Sequence, residues 1–323
     1  MPEGLDSSGL SPRALECSID LCIRLPYREA QSALAIQGID LEVSHCERLT
    51  QGYGEQVYQQ VCKTLGQQGT EPLDKHDPVT LPQVQVVQID GVFVMEKDKP
   101  SKGLCEGREV KQALTYPLAN PQKRCSISSS DPDMFQQLSH GLLRHGGVKQ
   151  KDKLIAVGDG SRWIDALFED LGVTLRILDV FHATQYLDTV MQALEWDDDK
   201  RLSHRCSWLR GDINARVWLK HYLPAPDVWL TWSKEAQTAL QYLETRLDQM
   251  DYFDFKEQAY PIGSGQIEGA NKSVIGARMK RGGMRWSHHG INRMAMLRSE
   301  QCSFRPVSDF HQVRFLAFPS PQL

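Results

Sequence analysis

From Val84 onward the chain stops reading as helix and polar linker. It becomes a run of β segments, then strict alternation of strand and helix. Residues 84–94, 109–116 and 124–128 read as three strands of one meander. An amphipathic helix at 133–144 comes next. Then come a strand at 153–158, a helix at 161–171, a strand at 173–178 and a helix at 182–194. Strand–helix–strand order implies parallel pairing through right-handed crossovers, so this region must build a mixed sheet with helices on its faces.

The apolar runs of that sheet lead into acids. Val84-Gln85-Val86-Val87-Gln88-Ile89 ends at Asp90, Leu154-Ile155-Ala156-Val157-Gly158 at Asp159, and Leu175-Arg176-Ile177-Leu178 at Asp179, with His182 three residues on. Carboxyl-terminal strand ends are where an open sheet meets its ligands. A further acid, Glu268, lies in Gly263-Ser264-Gly265-Gln266-Ile267-Glu268-Gly269 at the start of a helix. Its glycines are expected to allow a sharp turn and a close approach to the sheet, with Ile267, Ala270, Val274 and Ala277 as the packing face. Taken singly, any one of these acids reads better as a turn or cap residue, since Asp-Gly pairs are common turns. Together Asp90, Asp159 and Glu268 could hold two hard divalent ions and support phosphoryl transfer. His182 reads as a general acid, as a bond organising the site, or as a core histidine satisfied by a backbone carbonyl. Arg162 could clamp a phosphate and Trp163 could stack on a base, though Trp163 packing into the core is an equal reading.

The fold class expected is α/β: a mixed sheet of ribonuclease H-like element order, with flanking helices and a helical insertion, preceded by a small all-helical region. Residues 1–64 hold three helical segments and could form a helix-turn-helix, a pattern many helical hairpins share. The first opens at Ser11-Pro12, the second stops at Gly38, and the third is interrupted at Gly52 and Gly54. Residues 65–83 read as a linker. The first part of the sheet domain spans 84–194 and the insertion 195–260, with one long helix at 233–250. The segment with Glu268 and a basic run spans 261–305, and a tail closes the chain at 306–323.

Charge sharpens the reading. The net charge is −4, yet residues 271–305 carry eight Lys or Arg against one acid, leaving −11 for the remainder. A polyanion meets a patch and not the average. Lys272, Arg278, Lys280, Arg281, Arg285 and Trp286 are the candidate DNA contacts, with Gly283 allowing close approach of a backbone. A solvated basic helix face is the alternative. Eight cysteines include no C-x-x-C pair, so a zinc ribbon is not expected and reduced thiols are. His288-His289 is assigned no metal. No apolar stretch approaches the ~18 residues of a membrane span, and the N-terminus lacks signal-peptide character. An intracellular protein is expected.

The motifs together resemble the DDE transposases of bacterial insertion sequences, in particular the ISKra group, which is related to Mutator-like transposases. They are Ile89-Asp90-Gly91, Gly158-Asp159-Gly160-Ser161-Arg162-Trp163-Ile164, Asp179-Val180-Phe181-His182, Gly263-Ser264-Gly265-Gln266-Ile267-Glu268 and Arg278-Met279-Lys280-Arg281-Gly282-Gly283-Met284-Arg285-Trp286-Ser287, spread over residues 84–300. The resemblance implies a ribonuclease H-like catalytic domain with Asp90, Asp159 and Glu268 as triad and ligands of two Mg²⁺ or Mn²⁺ ions. It implies DNA partners, namely terminal inverted repeats and a target, a homo-oligomer on DNA, and a cytoplasmic, nucleoid-associated protein. Such transposases usually begin further upstream with a cysteine-rich segment, and the expectation is that this chain starts after it. The competing expectations are an inactive truncated remnant or a DNA-binding protein that keeps the fold, and a ribonuclease H-like nuclease without strand transfer.

Overall fold

The computed structural model describes residues 9–75, 81–97 and 106–308. Three helices open it: α1 (Pro12–Arg24), α2 (Tyr27–Ile36) and α3 (Val43–Gly69). Ser11 caps α1 by accepting from the Ala14 amide, and Pro12 occupies the first turn, where its missing N–H costs nothing. The expected interruption of the third helix does not occur. α3 runs unbroken through Gly52 and Gly54 for 27 residues and takes up the first five of the expected linker. Residues 72–74, just beyond it, are also tied down: Arg144 bonds the Pro72 carbonyl and the Asp74 carboxylate.

The strands are β1 (Val84–Glu96), β2 (Glu106–Pro117) and β3 (Cys125–Ser129), then α4 (Pro132–His145), β4 (Lys153–Gly158), α5 (Arg162–Asp170), β5 (Leu175–Leu178) and α6 (Val180–Ala193). They form one five-stranded sheet of order β3-β2-β1-β4-β5, with β2 and β3 antiparallel and β1, β4 and β5 parallel. The architecture is mixed α/β, as the alternation predicts. Short helices fill residues 195–260: α7 (Asp198–Leu209), α8 (Ala215–Tyr222), α9 (Pro226–Trp229), α10 (Lys234–Glu244) and α11 (Tyr252–Glu257). The single helix expected at 233–250 breaks after Glu244, where Arg246 leaves helical geometry at φ −127° and ψ 20°. Last come α12 (Gly265–Ala270), a π-helical turn (Asn271–Gly276), α13 (Ala277–Met279) and α14 (His288–Cys302). Among the described residues no helix is long and apolar enough to cross a membrane. The described cysteines are all free.

The chain divides into two compact units that interleave in sequence. One unit takes residues 81–90 and 151–266. It holds the parallel strands and the insertion, over a core that includes Val86, Ile155, Val157, Leu178, Leu187, Leu240 and Trp208. The other takes 1–80, 91–150 and 267–323. Its core joins Val57, Val61 and Leu65 of α3, Leu138 and Leu142 of α4, and Met294 and Leu297 of α14. A polar seam lies between β3 and α14, where the Ser128 and Ser299 hydroxyls meet at 2.7 Å and Asn292 accepts from the Ser130 amide.

Candidate active site

The parallel ladder sets three acids level. β1 pairs with β4 from Val84↔Lys153 to Gln88↔Val157, and β4 with β5 from Ile155↔Leu175 to Gly158↔Leu178. Carried two residues past Gln88 and Val157, and one past Leu178, the same registers place Asp90, Asp159 and Asp179 side by side. The bond from the Asp179 amide to the Gly158 carbonyl, at 2.8 Å, continues that ladder. Neighbouring strands lie about 4.8 Å apart, so the acids form a row across the carboxyl edge of the parallel strands. One expectation is corrected: Asp90-Gly91 is neither a strand end nor a turn. β1 continues to Glu96, and Asp90 marks the point where β1 outruns β4, because the β4 chain turns away at Gly160 with φ +75°.

The three acids differ in use. Asp159 is half-buried. Its Oδ1 accepts from the Ser161 amide at 2.8 Å, and its carbonyl accepts from the Tyr242 hydroxyl at 2.8 Å. Asp90 is half-buried too. Asp179 is buried, and its carboxylate serves the backbone. Oδ1 accepts from the Phe181 and His182 amides, capping α6, and Oδ2 accepts from the Ser264 amide at 2.6 Å. Val180 N–H donates to the Ile262 carbonyl, and the Gln88 side-chain Nε2 donates to the Gly263 carbonyl. Residues 262–264, which lead into α12, are thereby fastened to the ends of β5 and β1. Asp179 thus makes bonds that organise this edge, while the His182 contribution to them is its backbone N–H. His182 Nδ1 and Ser161 Oγ are buried without a hydrogen-bond partner among the described residues.

Glu268 is exposed on α12 and falls in the other unit, with Ile267, Ala270 and Val274 buried beneath it as the sequence predicts. Gly263 and Gly265 do not have the expected role. Neither has positive φ, and a Cβ on either would meet only ordinary contacts or open space. The expected face also fails at Ala277, which is exposed while Arg278 is 1% exposed. The π-helical turn explains this: one extra residue per turn rotates everything after Gly276 and sends the next side chain inward.

Arg278 and Trp286 are consequently interior residues, contrary to the expectation that they face DNA. The Arg278 guanidinium lies 4.7 Å from the Tyr27 ring and 5.0 Å from the Trp286 ring, and Nε donates to the Cys22 carbonyl. Burial pushes its pKa down. Trp286 is 7% exposed and donates its indole N–H to the Met279 carbonyl. Lys272, Lys280, Arg281 and Arg285 are exposed, Arg281 in an ion pair with Glu29 at 2.9 Å. Arg162 is exposed and Trp163 half-buried at the start of α5.

Sequence reasoning missed Tyr242 and Arg246 of the insertion. Arg246 Nη2 donates to the Gly160 carbonyl at 3.1 Å and reaches Asp165 at 3.5 Å. Their spacing of four residues, within the single helix expected at 233–250, was the available signal.

Among the described residues no three His, Cys, Asp or Glu side chains form a ready-made metal cage. The donor chemistry nevertheless suits a hard ion. Mg²⁺ retains waters and is commonly bound through one or two carboxylates plus substrate phosphates, and Asp90 and Asp159 supply such a pair.

No protein-family model and no curated protein matches the chain. Among solved structures it is similar to the Drosophila P element transposase strand transfer complex, at 12% identity over 92% of this chain and 81% of that one, with a TM-score of 0.32. A likeness that slight carries no argument about fold or function.

Proposed function

We propose that the chain cleaves and joins DNA strands as a DDE-type transposase with a ribonuclease H-like catalytic domain. One observation carries the reading: the β1–β4 register runs to Gln88↔Val157, and continued by two residues it would set Asp90 and Asp159 level at the carboxyl edge of adjacent parallel strands. The motif resemblance adds Glu268 as the third carboxylate. Two Mg²⁺ or Mn²⁺ ions, when bound, would supply an activated oxygen nucleophile and stabilise the leaving oxygen. Asp90 and Asp159 would hold them from rigid strands, and the Asx turn from Ser161 to Asp159 keeps one carboxylate oxygen oriented. Asp179 would act beside the pair by fixing the segment that enters the Glu268 helix. Lys272, Lys280, Arg281 and Arg285 would contact the phosphate backbone, and an oligomer assembled on paired DNA ends is part of the same proposal.

The test is nicking of supercoiled plasmid, with transfer of a 3′-hydroxyl oligonucleotide into it scored in parallel. Wild type is expected to nick with Mg²⁺ or Mn²⁺ and not with Zn²⁺, the carboxylate set lacking nitrogen and sulfur. Asp90→Asn, Asp159→Asn and Glu268→Gln should each abolish nicking and leave DNA binding intact. Full nicking by Glu268→Gln would overturn the triad. Nicking without transfer would identify a nuclease, and binding without either reaction a remnant.

A further inference from the structure

The helical insertion reaches the Asp159 turn directly. Tyr242 on α10 donates its hydroxyl to the Asp159 carbonyl at 2.8 Å, and Arg246, one turn on, donates to the Gly160 carbonyl at 3.1 Å. Both successive carbonyls of the turn are therefore occupied by the insertion. The pair is itself braced. The Arg246 guanidinium lies 4.0 Å from the Tyr242 ring centre, Tyr186 of α6 stacks on that same ring at 3.8 Å, and Asp165 of α5 holds Arg246 at 3.5 Å. The fit leaves no slack: a Cβ on Gly160 would stand 2.2 Å from the Tyr242 hydroxyl, and Gly160 already requires φ +75°. Arg246 abandons helical geometry where it makes these bonds, which ends α10 two residues earlier.

We infer that Tyr242 and Arg246 are positioning residues for Asp159, a lock through which the insertion sets the direction of that carboxylate. The inference rests on the proposed reading of Asp159 as a metal ligand. The lock acts on the backbone behind Asp159, while the Ser161 amide fixes one carboxylate oxygen in front. Groups that orient a ligating side chain from behind commonly govern metal affinity more than folding.

The experiment compares wild type with Tyr242→Phe, which keeps the stacked ring and removes only the donor. Mn²⁺ binding to the full chain is monitored by electron paramagnetic resonance without DNA, amide exchange is measured at residues 159–161, and plasmid nicking is titrated with Mn²⁺. Tyr242→Phe should weaken Mn²⁺ binding by about tenfold, with nicking restored at raised Mn²⁺. Exchange at Ser161 should quicken, and the thermal midpoint and DNA affinity should hold. Arg246→Lys, which keeps the charge and loses the planar fork, should behave like Tyr242→Phe and fail to rescue it. Unchanged Mn²⁺ affinity and unchanged exchange in Tyr242→Phe would overturn the lock. So would a loss of activity that added Mn²⁺ cannot restore. If wild type binds no Mn²⁺ and nicks no DNA, the proposed function fails instead, and quickened exchange at Ser161 alone would still support the lock as a backbone device.

Discussion

Asp179 makes three bonds to backbone amides and is 1% exposed, so its carboxylate is saturated before any ligand arrives. Asp179→Asn keeps one oxygen for the α6 cap but turns a donor toward the Ser264 amide. The loss of a buried charge-assisted bond should cost about 2 kcal/mol in urea unfolding. Mn²⁺ affinity should change far less than in Asp159→Asn. The reverse pattern, intact stability with lost Mn²⁺ binding, would make Asp179 a ligand. Glu300 on α14 gives a pH prediction. It is fully buried, accepts from the Val307 and Ser308 amides, and burial raises its pKa above the ordinary carboxylate value. A carboxyl raised in the folded state contributes most at low pH, and its contribution is lost as pH rises through the raised pKa. The stability of wild type relative to Glu300→Gln should therefore fall as pH rises from the ordinary carboxylate pKa through the raised one. A difference independent of pH would show that Glu300 titrates normally.

Between elements, glycine decides which helices touch. A Cβ on Gly141 of α4 would stand 2.1 Å from the Leu65 carbonyl of α3, a backbone atom that cannot swing aside, whereas a Cβ on Gly66 meets nothing within 4 Å. Gly141→Ala should destabilise by about 3 kcal/mol through overpacking, and Gly66→Ala should stabilise by about 0.5–1 kcal/mol through helix propensity. Chemical denaturation of the two variants separates these signs, and a neutral Gly141→Ala would mean that α4 slides freely on α3. The same physics marks what was legible in the sequence. Apolar runs with polar ends gave β4 its bounds and β5 and α6 to within two residues, because burial on both faces leaves an unmistakable pattern. Gly52 and Gly54 were misread as breaks, because sequence shows the missing side chain but not what fills its place. At Gly54 that is Arg293 and Leu297, whose atoms would lie 3.0 and 3.1 Å from a Cβ. The π-helical turn carries no local signature, so the phase reversal that buries Arg278 was invisible. The level row of Asp90, Asp159 and Asp179 was legible only as separate strand ends. Their common register became visible once the strands were paired.

At the scale of the molecule, the candidate acids and the basic segment are distributed unevenly over the two units. The unit of residues 81–90 and 151–266 carries Asp90, Asp159 and Asp179, while the other carries Glu268 and the basic segment. Within that segment, burial sorts the positive charges by role. Arg278 is sandwiched between rings, and Arg298, 9% exposed, donates to the Val274 carbonyl. Arg293 is paired with Glu55, while Lys280 and Arg285 face solvent. Only exposed cations can displace counterions from DNA, so the +7 of the sequence overstates the charge offered to a phosphate backbone. Neutralising Lys280 and Arg285 together should weaken binding on every DNA sequence and flatten the dependence of log affinity on log salt by about 0.9 for each phosphate no longer neutralised. Arg278→Ala should leave that slope unchanged and lower the unfolding midpoint, since it empties the space between Tyr27 and Trp286. Fluorescence anisotropy on a duplex across a salt series reads the first effect, and thermal unfolding the second. A slope that moves with Arg278→Ala and not with the Lys280 and Arg285 changes would place the DNA-facing surface elsewhere on the chain.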